Sequence, residues 1–173
     1  MAVRWQSKTE LELGRAARTM DGIQAARGAL AVAAHGERGK EGSSMGDQVR
    51  RLEAWLDAYA DHNRQTMIDS LADDAVWHVG GTHRHSGEYR GREAILGYFD
   101  AVREATADTM RLERLEILAN DQHGAAFMRV SADRVGRRLE TIVADAFRFD
   151  DQGRIVEFWA SNSNQAAIDE FWA

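Results

Sequence analysis

Cysteine and proline are both absent from the 173 residues. Without cysteine there is no disulfide framework, thiol nucleophile, thiolate zinc site or redox dithiol. Without proline no loop has its backbone locked by a pyrrolidine ring. No apolar run approaches the ~20 residues a membrane-spanning helix needs. The segment 28–34 is too short for a secretory signal, and acidic residues precede it. An excess of positive charge is lacking as well: 22 Lys and Arg face 28 Asp and Glu, a net charge of −6. That argues against nucleic acid as a partner. A soluble cytoplasmic protein is expected.

What is present has a globular balance, 44% hydrophobic and 29% charged. Residues 1–45 hold six of the fifteen glycines and end in a Gly/Ser-rich stretch at 36–44 that reads as a flexible linker. Over 9–34 a partial apolar stripe is interrupted by Gly14, Gly22 and Gly28, each costing about 1 kcal/mol against alanine in a helix. The segment therefore reads as a flexible or weakly helical extension, with Met45 as an alternative start. The competing reading is a partner-binding helix.

Residues 46–173 read as one folded domain. Val49, Leu52, Trp55, Leu56 and Tyr59 form a helical stripe over 47–61. A short helix is expected over 64–72, a turn at Asp73-Asp74, and a strand over 75–79 stopped by Gly80-Gly81. A polar loop over 82–90 leads to a third helix over 91–104. Strands over 110–118, 125–133, 138–149 and 154–161 follow, separated by turn-forming segments. Helices followed by an antiparallel meander specify an α+β fold. The long sheet must curl around its helices, leaving a concave apolar cavity suited to a small molecule.

Three stretches carry a family resemblance: Leu71-Ala72-Asp73-Asp74-Ala75-Val76-Trp77-His78-Val79-Gly80-Gly81; Gly87-Glu88-Tyr89-Arg90-Gly91-Arg92-Glu93-Ala94-Ile95-Leu96-Gly97-Tyr98-Phe99; and Asp145-Ala146-Phe147-Arg148-Phe149 with Gly153-Arg154-Ile155-Val156-Glu157-Phe158-Trp159. Their order and spacing resemble the SnoaL-like branch of the nuclear-transport-factor-2-like superfamily, which includes ketosteroid isomerase, over residues 48–172. The resemblance implies a cone-shaped fold, three N-terminal helices packed in a curved antiparallel sheet. It also implies a homodimer paired through the outer sheet face, for which Ile142, Ala144 and Phe158 are candidates. Ketosteroid isomerase works with an Asp base and an oxyanion hole of Tyr and protonated Asp. Asp145 stands where the resemblance puts the oxyanion Asp. Trp55 stands in place of the Tyr, with Tyr59 one turn later as a substitute donor. Val79 stands in place of the base, and His78 beside it points to the other face of a regular strand.

Asp145 alternates with Leu139, Thr141, Val143, Phe147 and Phe149 on one strand face. Burial among them raises a carboxyl pKa, which suits a proton donor or shuttle; the alternative is a structural Asp. The catalytic candidates are Asp145, His78 and Tyr59. The substrate-binding candidates are Trp55, Trp77, Val79, His83, His85, Phe99 and Trp159. His83-x-His85 with nearby Glu88 could begin a metal site, but three ligands are not assured, and neither metal nor cofactor is expected. The alternating charges of 111–116 read as solvent-side cross-strand pairs. Two functions compete: an isomerase, cyclase or lyase acting on a small apolar carbonyl compound, and a non-catalytic module that binds a lipophilic ligand or serves as a dimer scaffold.

Overall fold

The computed structural model describes residues 45–173. The expected extension, its helix over 9–34 and its linker lie outside the described residues. Helix α1 (Met45–Ala60) buries Gln48, Leu52, Trp55, Leu56 and Tyr59 along one face. It ends where His62 takes a left-handed backbone, φ 59°. Asn63 then caps α2 (Arg64–Ser70), its side chain accepting from the Thr66 N–H at 3.1 Å.

Strand β1 (Leu71–Val79) follows α2 directly. The expected turn at Asp73-Asp74 is instead an irregularity inside this strand: its register against the last strand shifts between Leu71 and Val76, and both aspartates are exposed there. The stretch read as a polar loop contains a further strand, β2 (Gly87–Arg90), an antiparallel edge partner of β1. Helix α3 (Arg92–Ala105) buries Ile95, Leu96 and Val102. Then come β3 (Arg111–Ala119), β4 (His123–Arg134), β5 (Arg137–Phe149), β6 (Ile155–Asn162) and an unexpected helix, α4 (Gln165–Trp172).

The six strands form one sheet in the order β2-β1-β6-β5-β4-β3. The meander from β3 to β6 is antiparallel, as expected, but β6 lands beside β1 and pairs with it in parallel. The chain leaves β2 at one edge, crosses through α3 and returns strand by strand from the opposite edge. The curved sheet packs its inner face against α1 and α3. The approach is close: a Cβ on Gly124 would lie 2.8 Å from Leu52 Cδ1 and 3.0 Å from Phe149 Cζ. Phe158, expected on the outer face, is 1% exposed on the inner one, because from Phe158 onward β6 turns its even-numbered residues inward.

Helix α4 closes one end of the sheet. Asn164 caps its first turn, accepting from the Ala167 N–H at 3.2 Å. At its other end Arg134 donates to the Phe171 carbonyl at 2.7 Å and Arg137 to the Glu170 carbonyl. These cations from the β4–β5 hairpin satisfy carbonyls that a helix C-terminus leaves unpaired. Phe171 and Trp172 then pack with Val102, Ala132 and Leu139 in a second apolar cluster.

Candidate functional site

Three rows of register partners build the inner face of the sheet. Trp77, Phe158 and Phe147 form one row. Val79, Ala160, Asp145 and Ala126 form the next, and Asn162, Val143 and Met128 the third. The first row is filled by stacked rings, Trp77 on Phe158 at 4.9 Å and Phe158 beside Phe147 at 5.6 Å. In the middle row Asp145 stands between two alanines, whose methyl groups leave space above the sheet. The result is a cavity of about 130 Å³. Trp55 and Tyr59 of α1, Tyr98 and Phe99 of α3, and Trp172 of α4 supply the rest of its aromatic wall.

Asp145 lines this cavity. Its Oδ1 is shielded from solvent and has no hydrogen-bond partner among the described residues. Desolvation pushes the carboxyl pKa up to about 7, because burial penalises the charged form and no cation among the described residues offsets it. Tyr98, also in the wall, is raised above its ordinary value chiefly by burial, with further contributions from Tyr89, Tyr59 and Asp145. Tyr59 is pushed up to about 12, again mainly by burial. Its hydroxyl donates to Met110 Sδ at 3.4 Å, so the phenol expected to serve as a donor toward the carboxyl is engaged elsewhere. Val79, two residues on from Trp77, contributes only an apolar wall.

The histidines separate. His83 is 8% exposed and lines the cavity. Its Nδ1 accepts from the His85 N–H at 3.2 Å. Burial lowers its pKa, opposed by the charge of Asp169 and a backbone bond to Gly80. His85 lies outside the lining, its ring 4.7 Å from that of Trp172 and its Nε2 accepting from Arg84 Nε at 3.0 Å. Burial and the neighbouring Arg84, His83 and Arg134 lower its pKa. His78 faces away from the cavity, with Nε2 2.8 Å from Glu157 Oε1 and its ring stacked on Trp159 at 5.2 Å. Trp159, expected in the lining, is thereby placed on the outer face: it is an odd-numbered residue of a strand whose even positions point inward. His83 and His85 sit 6.3 Å apart ring to ring, Glu88 is held by Arg90, and among the described residues no three acidic or histidine side chains gather to hold a metal.

Loop 80–86 is tied to α4. Thr82 donates to Asp169 from its backbone N–H at 3.1 Å and from Oγ1 at 3.0 Å. Gly81 has φ 97°, a backbone conformation that favours glycine, and a Cβ there would displace the side chains of Gln165 and Asp169. Tyr98, Phe158, Asn162, Gln165 and Trp172 line the cavity without having been read as site residues. Alternation on β6 marks Phe158 and Asn162 as sharing a face; the residues of α4 carried no signal until that helix was known. On β3 Glu113 forms the expected cross-strand pair, with Arg129 at 2.6 Å, whereas Arg114 reaches across to Asp57 of α1 at 3.2 Å.

The sequence profile of the SnoaL-like domain matches residues 52–158. No curated protein matches the chain. Among solved structures, Bal32a from a soil-derived mobile gene cassette is similar at 26% identity and TM-score 0.72, over 75% of this chain and 98% of that one. A protein with a cystatin-like fold from Xanthomonas campestris is similar at 23% identity and TM-score 0.68, over 73% and 98%. IdmH from Streptomyces antibioticus, a candidate polyketide cyclase, is similar at 22% identity and TM-score 0.58, over 70% and 95%.

Proposed function

The chain belongs to the SnoaL-like domain family, and from that premise we propose that it is a cofactor-independent isomerase or cyclase acting on a small carbonyl compound, with Asp145 as its proton carrier. One observation carries this reading. An unpartnered carboxyl group, desolvated until its pKa is about 7, borders a largely apolar cavity. A general acid or base works best with a pKa near the operating pH, and proton transfer by such a group contributes typically 10²–10⁴-fold. In its charged form Asp145 takes a proton from the carbon next to the carbonyl: the C–H bond breaks, the carboxyl O–H forms, and an enolate remains. The proton then returns to another carbon of the enolate in an isomerisation, or to the alkoxide formed when the enolate closes on a second carbonyl. The apolar walls lower the local polarity and strengthen each electrostatic contact beside them.

The test is α-proton exchange. Simple cyclic ketones incubated in D₂O are expected to lose α-proton NMR signal faster with the protein than without. Asp145→Asn should cut that rate by about 10²–10⁴-fold. Equal exchange by both proteins would remove Asp145 from the chemistry. A second reading, a non-catalytic binding module, is favoured by the engagement of Tyr59 with Met110 and the apolar Val79. It predicts ligand binding without exchange.

We also propose a cytoplasmic homodimer. Among the described residues no helix is long and apolar enough to cross a membrane. The outer sheet face supports pairing with a second copy.

A further inference from the structure

Part of the cavity wall is neither strand nor helix. Gly80 and His83 of loop 80–86 border the cavity, although Gly81, Thr82 and Arg84 around them are exposed. His83 is thus an inward-facing ring, 8% exposed, on an outward-facing loop. Glycine stands at both ends of this loop. Gly81 and Gly87 take φ of 97° and 141°, and no atom lies within 4 Å of where a Cβ on Gly87 would stand. Packing does not require glycine at 87; the backbone conformation does. Such residues at the ends of a loop that borders a cavity suit a hinge.

The bonds within the loop differ from those that hold it down. Ser86 Oγ donates to the Gly80 carbonyl at 3.0 Å and closes the base, which Tyr89 of β2 steadies by donating to the His85 carbonyl at 2.9 Å. The Ser86 N–H donates to the His83 carbonyl at 2.9 Å and the His85 N–H to His83 Nδ1 at 3.2 Å, so the tip is a preformed turn. Toward α4 the hydrogen bonds converge on one carboxylate. Asp169 accepts both Thr82 donors, and Gln165 Nε2 braces it at 2.9 Å. Ring contacts with Trp172, 4.7 Å from His85 and 6.2 Å from His83, complete the closed position. The two Thr82 bonds are open to solvent, the kind that breaks in local opening rather than in global unfolding.

We propose that loop 80–86 is a flap in the cavity wall, latched to α4 through Thr82 and Asp169, whose release withdraws His83 and widens the cavity for a small molecule to enter or leave. The flap pivots at its glycines and moves as one piece, because its own hydrogen bonds persist when the latch breaks. It acts in the same way whether the occupant is turned over at Asp145 or only held, and so goes beyond the catalytic reading.

Amide exchange followed by NMR tests the latch. The Thr82 N–H should open far more readily than the amides of β1 and β6. Thr82→Val keeps the side-chain shape and removes the Oγ1 bond to Asp169. It should lower the protection factor of the residue-82 amide about tenfold, the effect of losing one hydrogen bond to a charged group. The amides of His85 and Ser86, bonded within the flap, should keep their protection. Asp169→Ala removes both bonds and should lower protection at 82 further; since Asp169 also braces α4 through Gln165, Thr82→Val carries the test should that variant fail to fold. Access to the cavity is read separately. With Trp5→Phe and Trp159→Phe in the background, the remaining tryptophans are Trp55, Trp77 and Trp172 of the cavity wall, each no more than 5% exposed. Acrylamide should quench them more strongly once Thr82→Val is added. A residue-82 amide that opens only with the whole domain, a joint loss of protection at 82, 85 and 86, or a looser flap without added quenching would each overturn the proposal. None of these readouts involves α-proton exchange, so failure of the catalytic reading leaves them standing.

Discussion

Asp145 shows what alternation along a strand conveys and what it leaves out. Its period-two pattern with Leu139, Val143 and Phe147 was readable in sequence, and with it the expectation of desolvation. What needed coordinates was the cross-strand setting, Ala126 on one side and Ala160 on the other, because register is not written in either strand alone. The same limit explains Trp159 and Phe158. Large aromatic residues sit side by side at the end of the third matched stretch, and only pairing with β1 and β5 decides which faces in. A pH dependence follows for Asp145. Below about pH 3.8 the carboxyl is neutral in folded and unfolded chains alike. Between 3.8 and about 7 the unfolded chain ionises first, so stability falls as pH rises; above 7 the loss is constant. At 1.36 kcal/mol per pKa unit that loss is of order 4 kcal/mol. Asp150 and Glu157, held below their ordinary values, give the opposite slope at acid pH, so the quantity to measure is a difference. In urea unfolding Asp145→Asn should match the wild type near pH 4 and exceed it at pH 8. An Asn variant that is less stable at pH 8 would mean that the native carboxylate has a stabilising partner.

Elements with strong periodicity or clear turn chemistry were legible: α1, α3 and the four strands of the meander lie close to their expected positions. The two elements missed are both short. Gly87–Arg90 has no β-branched residue and is half-buried only at Tyr89, which suits a short edge strand but not a sequence signal. Helix α4 spans two turns, too short to persist alone; it forms because Asn164 caps one end and Arg134 and Arg137 the other. Truncating both arginines to alanine should therefore loosen α4 specifically, seen as faster amide exchange over 165–172 with the meander still protected. The β4–β5 hairpin offers a gain. Val135 and Gly136 both have positive φ, 47° and 74°, the backbone of a two-residue turn that favours Asn-Gly. A β-branched residue is strained there, and Val135 is 88% exposed. Val135→Asn should stabilise the domain by about 1 kcal/mol, a rise in melting temperature of roughly 2–4 °C. An unchanged or lower melting temperature would show that the turn is not under strain.

At the scale of the whole molecule the sheet has one face packed on helices and one face bare, and the bare face is not simply polar. Trp159 is 37% exposed there, stacked on His78, with Ile142 and Ala144 half-buried in the neighbouring strand. Around them the charges come in both signs: Arg148 donates to Glu157 at 2.8 Å, and Arg129 to Glu113 at 2.6 Å. A face of this kind is self-complementary, because a two-fold axis through it sets the apolar centre against itself and each copy's arginines near the other's carboxylates. The buried aromatic at the centre of such an interface usually carries much of its energy. Light scattering on the described domain is thus expected to give twice the subunit mass at micromolar concentration. Trp159→Arg places a like charge on the axis and removes the apolar centre, so it should yield monomers with unchanged far-ultraviolet circular dichroism. The cavity lies on the opposite face, so that variant should exchange the α-protons of simple cyclic ketones as the wild type does. A wild-type monomer at 100-fold higher concentration, or a Trp159→Arg dimer, would place any association elsewhere on the molecule.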